Sequence, residues 1–203
     1  MSIEVKISKT PISYKIAMKF LHQRVEKVKM NKDKELLWIL EHPLTYTAGI
    51  RSNKNEIIDK KIKLIISNRG GKVTLHNPGQ KIIYFVLNLN KRKKDIRKLI
   101  NSIERSIIEF LKIYKIKGNK DKKNIGIWVN KKKIAAIGLR VSRWVAFHGC
   151  SINISNNLNE YLKIIPCGLD NKKVTSINNE KNINPINYEQ KLANIFIKNI
   201  NDI

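Results

Sequence analysis

Apolar residues recur along this chain with two different periods, and the order in which those periods follow one another limits the folds open to it. Ile3, Val5 and Ile7 alternate as on a strand, and Ser13 then precedes Tyr14, Ala17, Met18, Leu21, Val25 and Val28 at helical spacing. Residues 36–40 read as a buried strand that ends at Glu41-His42-Pro43, and residues 63–66 as another before Arg69-Gly70-Gly71. Residues 82–89 form a third apolar run. Ile96, Leu99, Ile100, Ile103, Ile107, Phe110, Leu111 and Tyr114 then mark a long helix, with Gly118 as its expected stop. Residues 125–129 and 134–139 flank Asn130-Lys131-Lys132 as the arms of a β-hairpin, and residues 145–154 supply one more strand. Tyr188, Leu192, Ile195, Phe196 and Ile200 close the chain on a helix. Strands and helices mix without regular βαβ alternation or internal repeats. That pattern predicts an α+β fold with a mixed, largely antiparallel sheet packed with helices.

The 203 residues suffice for one domain with a sizeable core and are few for two, so residues 1–203 are read as a single domain. No apolar run approaches the length of a bilayer span, which argues against a membrane protein. The opening Met1-Ser2-Ile3-Glu4-Val5 lacks the basic and then apolar segments of a secretory signal. Its two cysteines are therefore expected as free thiols in a reducing, cytoplasmic setting. The formal net charge of +25 invites a nucleic-acid reading. The lysines are scattered through every segment, however, with no basic repeat studded by aromatics and no zinc-ligand spacing. No nucleic-acid partner is expected. Such basicity would steer an acidic protein toward the surface.

Chemistry concentrates at Ile165-Pro166-Cys167-Gly168. Proline fixes its own φ and disfavours helix before it, and the following glycine lets the backbone turn, so Cys167 sits on a bend that can present a nucleophile. A free cysteine also serves as a small buried hydrophobe, and the bend alone does not choose between the two. A nucleophilic thiol needs a base, for which the lysine run 131–133 is a candidate. Alternation along a strand puts Lys131 and Lys133 on one side and Lys132 on the other, so position leaves the first and third open. A lysine takes a proton only where burial against apolar walls disfavours its charge, a role open to Ile134, Ala136 and Ile137. His148 and Cys150 make a rival dyad, two apart on a strand and so expected on one face, but with little room for a substrate between them. Arg69-Gly70-Gly71 reads either as a sharp loop or as a place where backbone N–H groups approach a ligand. His42 and His76 have no metal-ligand spacing around them and read as residues that line a site or fix a loop, so no metal is expected.

Asn68-Arg69-Gly70-Gly71-Lys72-Val73-Thr74-Leu75-His76-Asn77-Pro78-Gly79-Gln80, Lys133-Ile134-Ala135-Ala136-Ile137-Gly138-Leu139-Arg140, Phe147-His148-Gly149 and Pro166-Cys167-Gly168 follow one another in the chain. In that order they resemble the lipoyl(octanoyl) transferases, also called octanoyltransferases or lipoate-protein ligase B, over a stretch from about Glu41 to about Ile177. The resemblance implies the fold of the biotin and lipoate protein ligase catalytic domains. It also implies transfer of an octanoyl group from acyl carrier protein to a lysine of a lipoyl domain, through a thioester on Cys167 and with Lys133 as the base. The acceptors it implies are the apo lipoyl domains of 2-oxoacid dehydrogenases and the glycine cleavage H protein. This route requires no cofactor and no ATP. The segment Arg69, Gly70, Gly71, Lys72, Val73, Thr74, Leu75 and His76 would line the acyl pocket, together with Ala136, Ile137, Gly138, Gly149, Cys150 and Ser151. The chain departs from the family pattern at Leu75, often tyrosine, and at Asn77, often glycine, changes that bear on pocket width. Three alternatives stay open: an ATP-using lipoate ligase of the same fold, an amidotransferase drawing octanoyl from another protein, and a basic RNA-binding module.

Overall fold

The computed structural model describes residues 2–121, 124–165 and 174–203. Its frame is a seven-stranded sheet built from β1 (Ile3–Ile7), β2 (Glu35–Leu40), β6 (Gln80–Asn88), β10 (Val145–Asn153), β9 (Lys132–Ser142), β8 (Gly126–Val129) and β7 (Asn119–Lys120), hydrogen-bonded in that order. Only β1 and β2 pair in parallel, and the rest of the ladder is antiparallel. Beside it lies a three-stranded sheet, with β3 (Thr45–Ala48) between β4 (Leu64–Ile66) and β5 (Val73–His76). The expected mixture of strands and helices, largely antiparallel, is the one observed.

Strand alternation sorts the apolar residues into two layers. Leu37, Ile39, Ile83, Phe85 and Leu87 face α2 (Ile96–Ile113) and α4 (Glu189–Asn201), whose Leu99, Ile103, Ile107, Phe110, Leu192 and Phe196 complete one core, joined by Ile177 of the short α3 (Ile177–Lys181). Leu36, Trp38, Leu40, Ile82, Tyr84 and Val86 face the other way, onto Ala17, Leu21, Val25 and Val28 of α1 (Tyr14–Lys29). A third cluster joins Tyr46, Ala48, Val73 and Leu75 of the small sheet to Tyr161 and Ile164. Each fully buried Leu, Ile or Phe contributes about 1.5–3 kcal/mol, so sheet position and helix docking are fixed by the same residues.

The β8–β9 and β9–β10 hairpins each turn through two residues with positive φ, Asn130 and Lys131 in the first and Arg143 and Trp144 in the second. That geometry matches the right-handed twist of the strands it joins. The Asn130-Lys131 turn is one residue shorter than expected from sequence. Gly118 is a further correction. Helix α2 ends at Ile113, with Lys115 at φ 55° and the Ile116 N–H donating to Leu111 O. Gly118 instead marks a close approach, since a β-carbon there would lie 2.8 Å from Ile127 Cγ2 and 2.9 Å from Leu111 Cδ1.

Candidate active site

Lys133 owes its place to an irregularity in the hairpin. Trp128 pairs with Lys133 and Ile127 with Ala135, so one step on β8 spans two on β9. Such a bulge re-aims a side chain and interrupts simple alternation. Lys131 is exposed in the turn and Lys132 half-buried, whereas Lys133 is buried, with Nζ 5.3 Å from the Trp128 ring centre. Gly126, at φ 138°, leaves room for it, because a β-carbon there would sit 2.7 Å from Lys133 Cε. Burial therefore separates the two lysines that strand position left open. Val174 bridges to Lys133, and the Thr175 N–H donates to Lys133 O at 2.9 Å. Pro166, Cys167 and Gly168 lie outside the described residues.

Lys133 borders a cavity of about 330 Å³ between the large sheet and the small one. One wall is the Arg69-Gly70-Gly71 loop. The Gly70 N–H donates to Leu139 O of β9 at 3.1 Å, and a β-carbon on Gly70 would lie 2.8 Å from that same oxygen. The loop thus packs directly on the strand. Arg69 is held by Thr47, its Nη2 2.8 Å from Oγ1 and 2.9 Å from the carbonyl oxygen, and its Nη1 donates to Gly70 O. Of the segment expected to line the pocket, Arg69, Gly70, Gly71, Lys72, Thr74 and His76 border the cavity. Val73 and Leu75 do not. They lie in β5, and its alternation turns them into the third core, against Tyr46 and Tyr161. On the large sheet Ala136, Ile137, Gly138, Gly149, Cys150 and Ser151 all border the cavity. Gly149 lies so close to β6 that a β-carbon would clash with the Ile83 carbonyl oxygen.

The rival His148 and Cys150 dyad is not assembled. His148 has φ 66° in the middle of β10, which breaks the alternation on which the pairing rested. Its ring stacks on Phe147, neighbours Tyr84 and His22, and shares a hydrogen bond of 2.6 Å between Nε2 and Asn68 Oδ1. Cys150 instead packs in the α2 and α4 core. Burial pushes the Cys150 thiol well above its ordinary range, which suits a structural residue.

A cluster of rings underlies the cavity. His42 Nδ1 lies 2.5 Å from Ile12 O and Nε2 lies 2.8 Å from Tyr84 Oη, while His76 Nδ1 lies 2.8 Å from Gln80 Oε1. Tyr14 Oη meets Ser67 Oγ at 2.7 Å, and its ring neighbours both histidines. Burial, reinforced by the nearby His42 and Arg69, depresses His76 to about 3. His148 is likewise depressed to about 3, first by burial and then by Arg69. Both are neutral imidazoles at physiological pH.

Arg51, Ile82, Tyr84, Asn124 and Ile125 also border the cavity and were not anticipated. Ile82 and Tyr84 share one face of an apolar run that was read correctly as a strand. Which face meets the site depends on the order of strands in the sheet, and a single sequence does not carry it. Among the described residues the lining holds the basic side chains Arg51, Arg69, Lys72 and Lys133 and no carboxylate.

Residues 13–197 match the family model of the lipoyl protein ligase A/B catalytic domain. An octanoyltransferase of Wolbachia sp. subsp. Brugia malayi is 42% identical over 180 residues, covering 86% of this chain and 88% of that protein. A crystal structure of lipoate-protein ligase A bound with ATP superposes with a TM-score of 0.74 at 14% identity, covering 100% of this chain and 85% of its own. A biotin protein ligase from Aquifex aeolicus in complex with biotin and ATP gives a TM-score of 0.57 at 15% identity, covering 98% and 69%. The fold expected from the sequence motifs is the fold these structures share.

Proposed function

We propose a donor, an acceptor and a covalent route for this chain, which belongs to the lipoyl protein ligase A/B catalytic domain family and is an octanoyltransferase. The donor is octanoyl-acyl carrier protein, the acceptor is the ε-amine of a lysine on an apo lipoyl domain, and Cys167 carries the acyl group between them. The observation that supports this most is the burial of Lys133, alone of its lysine run, at a cavity walled by Ile82, Ala136 and Ile137, with its backbone bridged to Val174, a residue that follows Cys167 closely in the sequence.

In the first half-reaction the Lys133 amine takes the Cys167 proton and the thiolate attacks the thioester carbonyl. The tetrahedral oxyanion forms in a cavity lined by Arg51, Arg69, Lys72 and Lys133, an electrostatic setting that favours negative charge. Its collapse breaks the carbon–sulfur bond to the carrier, whose thiolate recovers a proton from Lys133 and leaves. In the second half-reaction the acceptor amine attacks octanoyl-Cys167. The carbon–nitrogen bond forms, the bond to Cys167 sulfur breaks, and the amine proton passes through Lys133 to the departing thiolate. Each methylene buried against the apolar wall contributes about 0.8 kcal/mol, which holds the chain through both steps.

The donor thioester is already activated, so this route runs without ATP, whereas a ligase acting on free octanoate would need a nucleotide. Purified protein is to be given octanoyl-carrier protein and an apo lipoyl domain in one reaction, and free octanoate with ATP in another. Octanoyl-amide in the first alone supports the proposal. Product in the second that survives Cys167→Ser assigns the chain to the ligases.

A further inference from the structure

Glu56 is a buried carboxylate that stands behind the cavity wall and ties three pieces of chain together. It ends the short turn Lys54–Glu56, which Asn53 caps by accepting from the Asn55 N–H. Its Oε2 accepts from the N–H of Val73, the first residue of β5, at 3.0 Å. Its Oε1 faces Nζ of Lys72, a cavity residue, at 3.1 Å. Its backbone oxygen accepts from the Ile165 N–H at 2.7 Å. Beside it Ile57 bridges to Ile164, and the N–H groups of Ile58 and Asp59 both donate to Lys163 O, at 3.0 and 3.1 Å. Ile164 is itself buried and packs with Val73 in the third core.

Residues 163–165 are thereby fastened to the segment 56–59, and that segment to the cavity wall. Cys167 follows Ile165 by two residues in the sequence, at most about 7 Å of chain. Beyond it in the sequence, the Thr175 N–H donates to Lys133 O. The stretch that contains Cys167 is therefore anchored at one end on the backbone of Lys133 and at the other on the backbone of Glu56. The first anchor belongs to the large sheet. The second belongs to a turn of three residues, whose own hydrogen bonding is poor, and the Glu56 side chain is what fastens that turn to β5 and Lys72. Loss of the carboxylate would leave the Val73 N–H buried without its acceptor and the turn without its brace.

We infer that Glu56 is a positioning residue: its carboxylate fixes the turn to which Ile164 and Ile165 are bonded, and so sets where Cys167 stands relative to the Lys133 amine. The inference rests on the reading of Cys167 as nucleophile and Lys133 as its base. A reacting group misplaced by about 1 Å loses up to about a hundredfold in rate. A residue that merely supported the fold would not act through the base.

The test is a double-mutant cycle read by the single-turnover rate of Cys167 acylation from octanoyl-carrier protein, with folding checked by thermal unfolding. Glu56→Leu keeps the bulk of the side chain and removes its acceptors, and it should slow acylation about tenfold or more with Lys133 in place. In the Lys133→Ala background the same change should cost no more than about twofold, because a position set relative to the base loses its effect once the base is gone. A loss of the same factor in both backgrounds would make Glu56 a general support of the fold and overturn the inference. Acylation at the full rate in Glu56→Leu would overturn it as well. If that variant does not fold, Glu56→Asp takes its place, since a carboxylate one methylene shorter reaches Val73 only by moving the turn, and the same outcomes decide. Octanoyl-Cys167 missing from the unaltered protein would remove the nucleophile reading and this inference with it, whereas octanoyl-Cys167 formed equally fast by the Glu56 variants removes this inference alone.

Discussion

Replacing Gly70 with alanine tests whether the glycine loop is built by contact with β9. The new β-carbon would lie 2.8 Å from Leu139 O, against the 3.4 Å at which ordinary contact begins, so the loop must lift by about 0.6 Å. The opposing atom is a backbone oxygen held in the sheet and does not rotate away. Lifting the loop stretches the 3.1 Å bond from the Gly70 N–H to that same oxygen. Overpacking of this kind costs about 1–3 kcal/mol, which for a chain of this size lowers Tm by roughly 3–10 °C. The loop also carries Arg69 and forms a cavity wall, and a displacement approaching 1 Å costs up to about a hundredfold in rate. Thermal unfolding and steady-state octanoyl transfer measure the two effects on one preparation. Gly118→Ala is the comparison, since its β-carbon would lie at the same 2.8 Å but from side-chain atoms of the core, and Gly118 does not border the cavity, so it should lower Tm without the loss of transfer. If Gly70→Ala matched the unaltered protein in both Tm and kcat/KM, the close packing of loop on strand would be refuted.

Lys133→Ala should reduce transfer at least about a hundredfold, as loss of a general base does, while Lys132→Ala changes it little; similar losses at both would mark a generic charge patch. Acid should destabilise the fold through its buried histidines. His76 and His148 titrate at about 3 when folded against a reference value of 6.5, so the unfolded chain binds protons first as pH falls. Their contribution is complete above pH 6.5 and is lost as pH falls toward 3, at up to about 1.4 kcal/mol per pH unit for each histidine. Urea midpoints at pH 7 and pH 5 check this, and His148→Gln should show a smaller drop between them than the unaltered protein.

Helices α1, α2 and α4 were legible in the sequence because each buries a stripe long enough for its period to show, as Leu99, Ile103, Ile107 and Phe110 do in α2. The long strands were legible from their apolar runs. Strands β3 and β5 were not, since four residues alternating between Thr47 or Thr74 on one side and Ala48 or Leu75 on the other give too few repeats. The same shortness hid the turning of Val73 and Leu75 away from the cavity. His148 escaped for another reason: positive φ at a non-glycine residue in a strand is accommodated by tertiary contacts, here Asn68, His22 and Tyr84, and leaves no mark in the sequence. Lys133 could be reached only in part from the chain itself, because a bulge chose it and bulges follow from pairing.

The central claim is that octanoyl passes through Cys167, and mass measurement of the protein after mixing with octanoyl-carrier protein, without acceptor, tests it most directly. The account predicts a mass increase of one octanoyl group, mapped by peptide analysis to Cys167, absent in Cys167→Ser and discharged when an apo lipoyl domain is added. A label on Cys150, or efficient transfer by Cys167→Ser with no acylated enzyme, would contradict it.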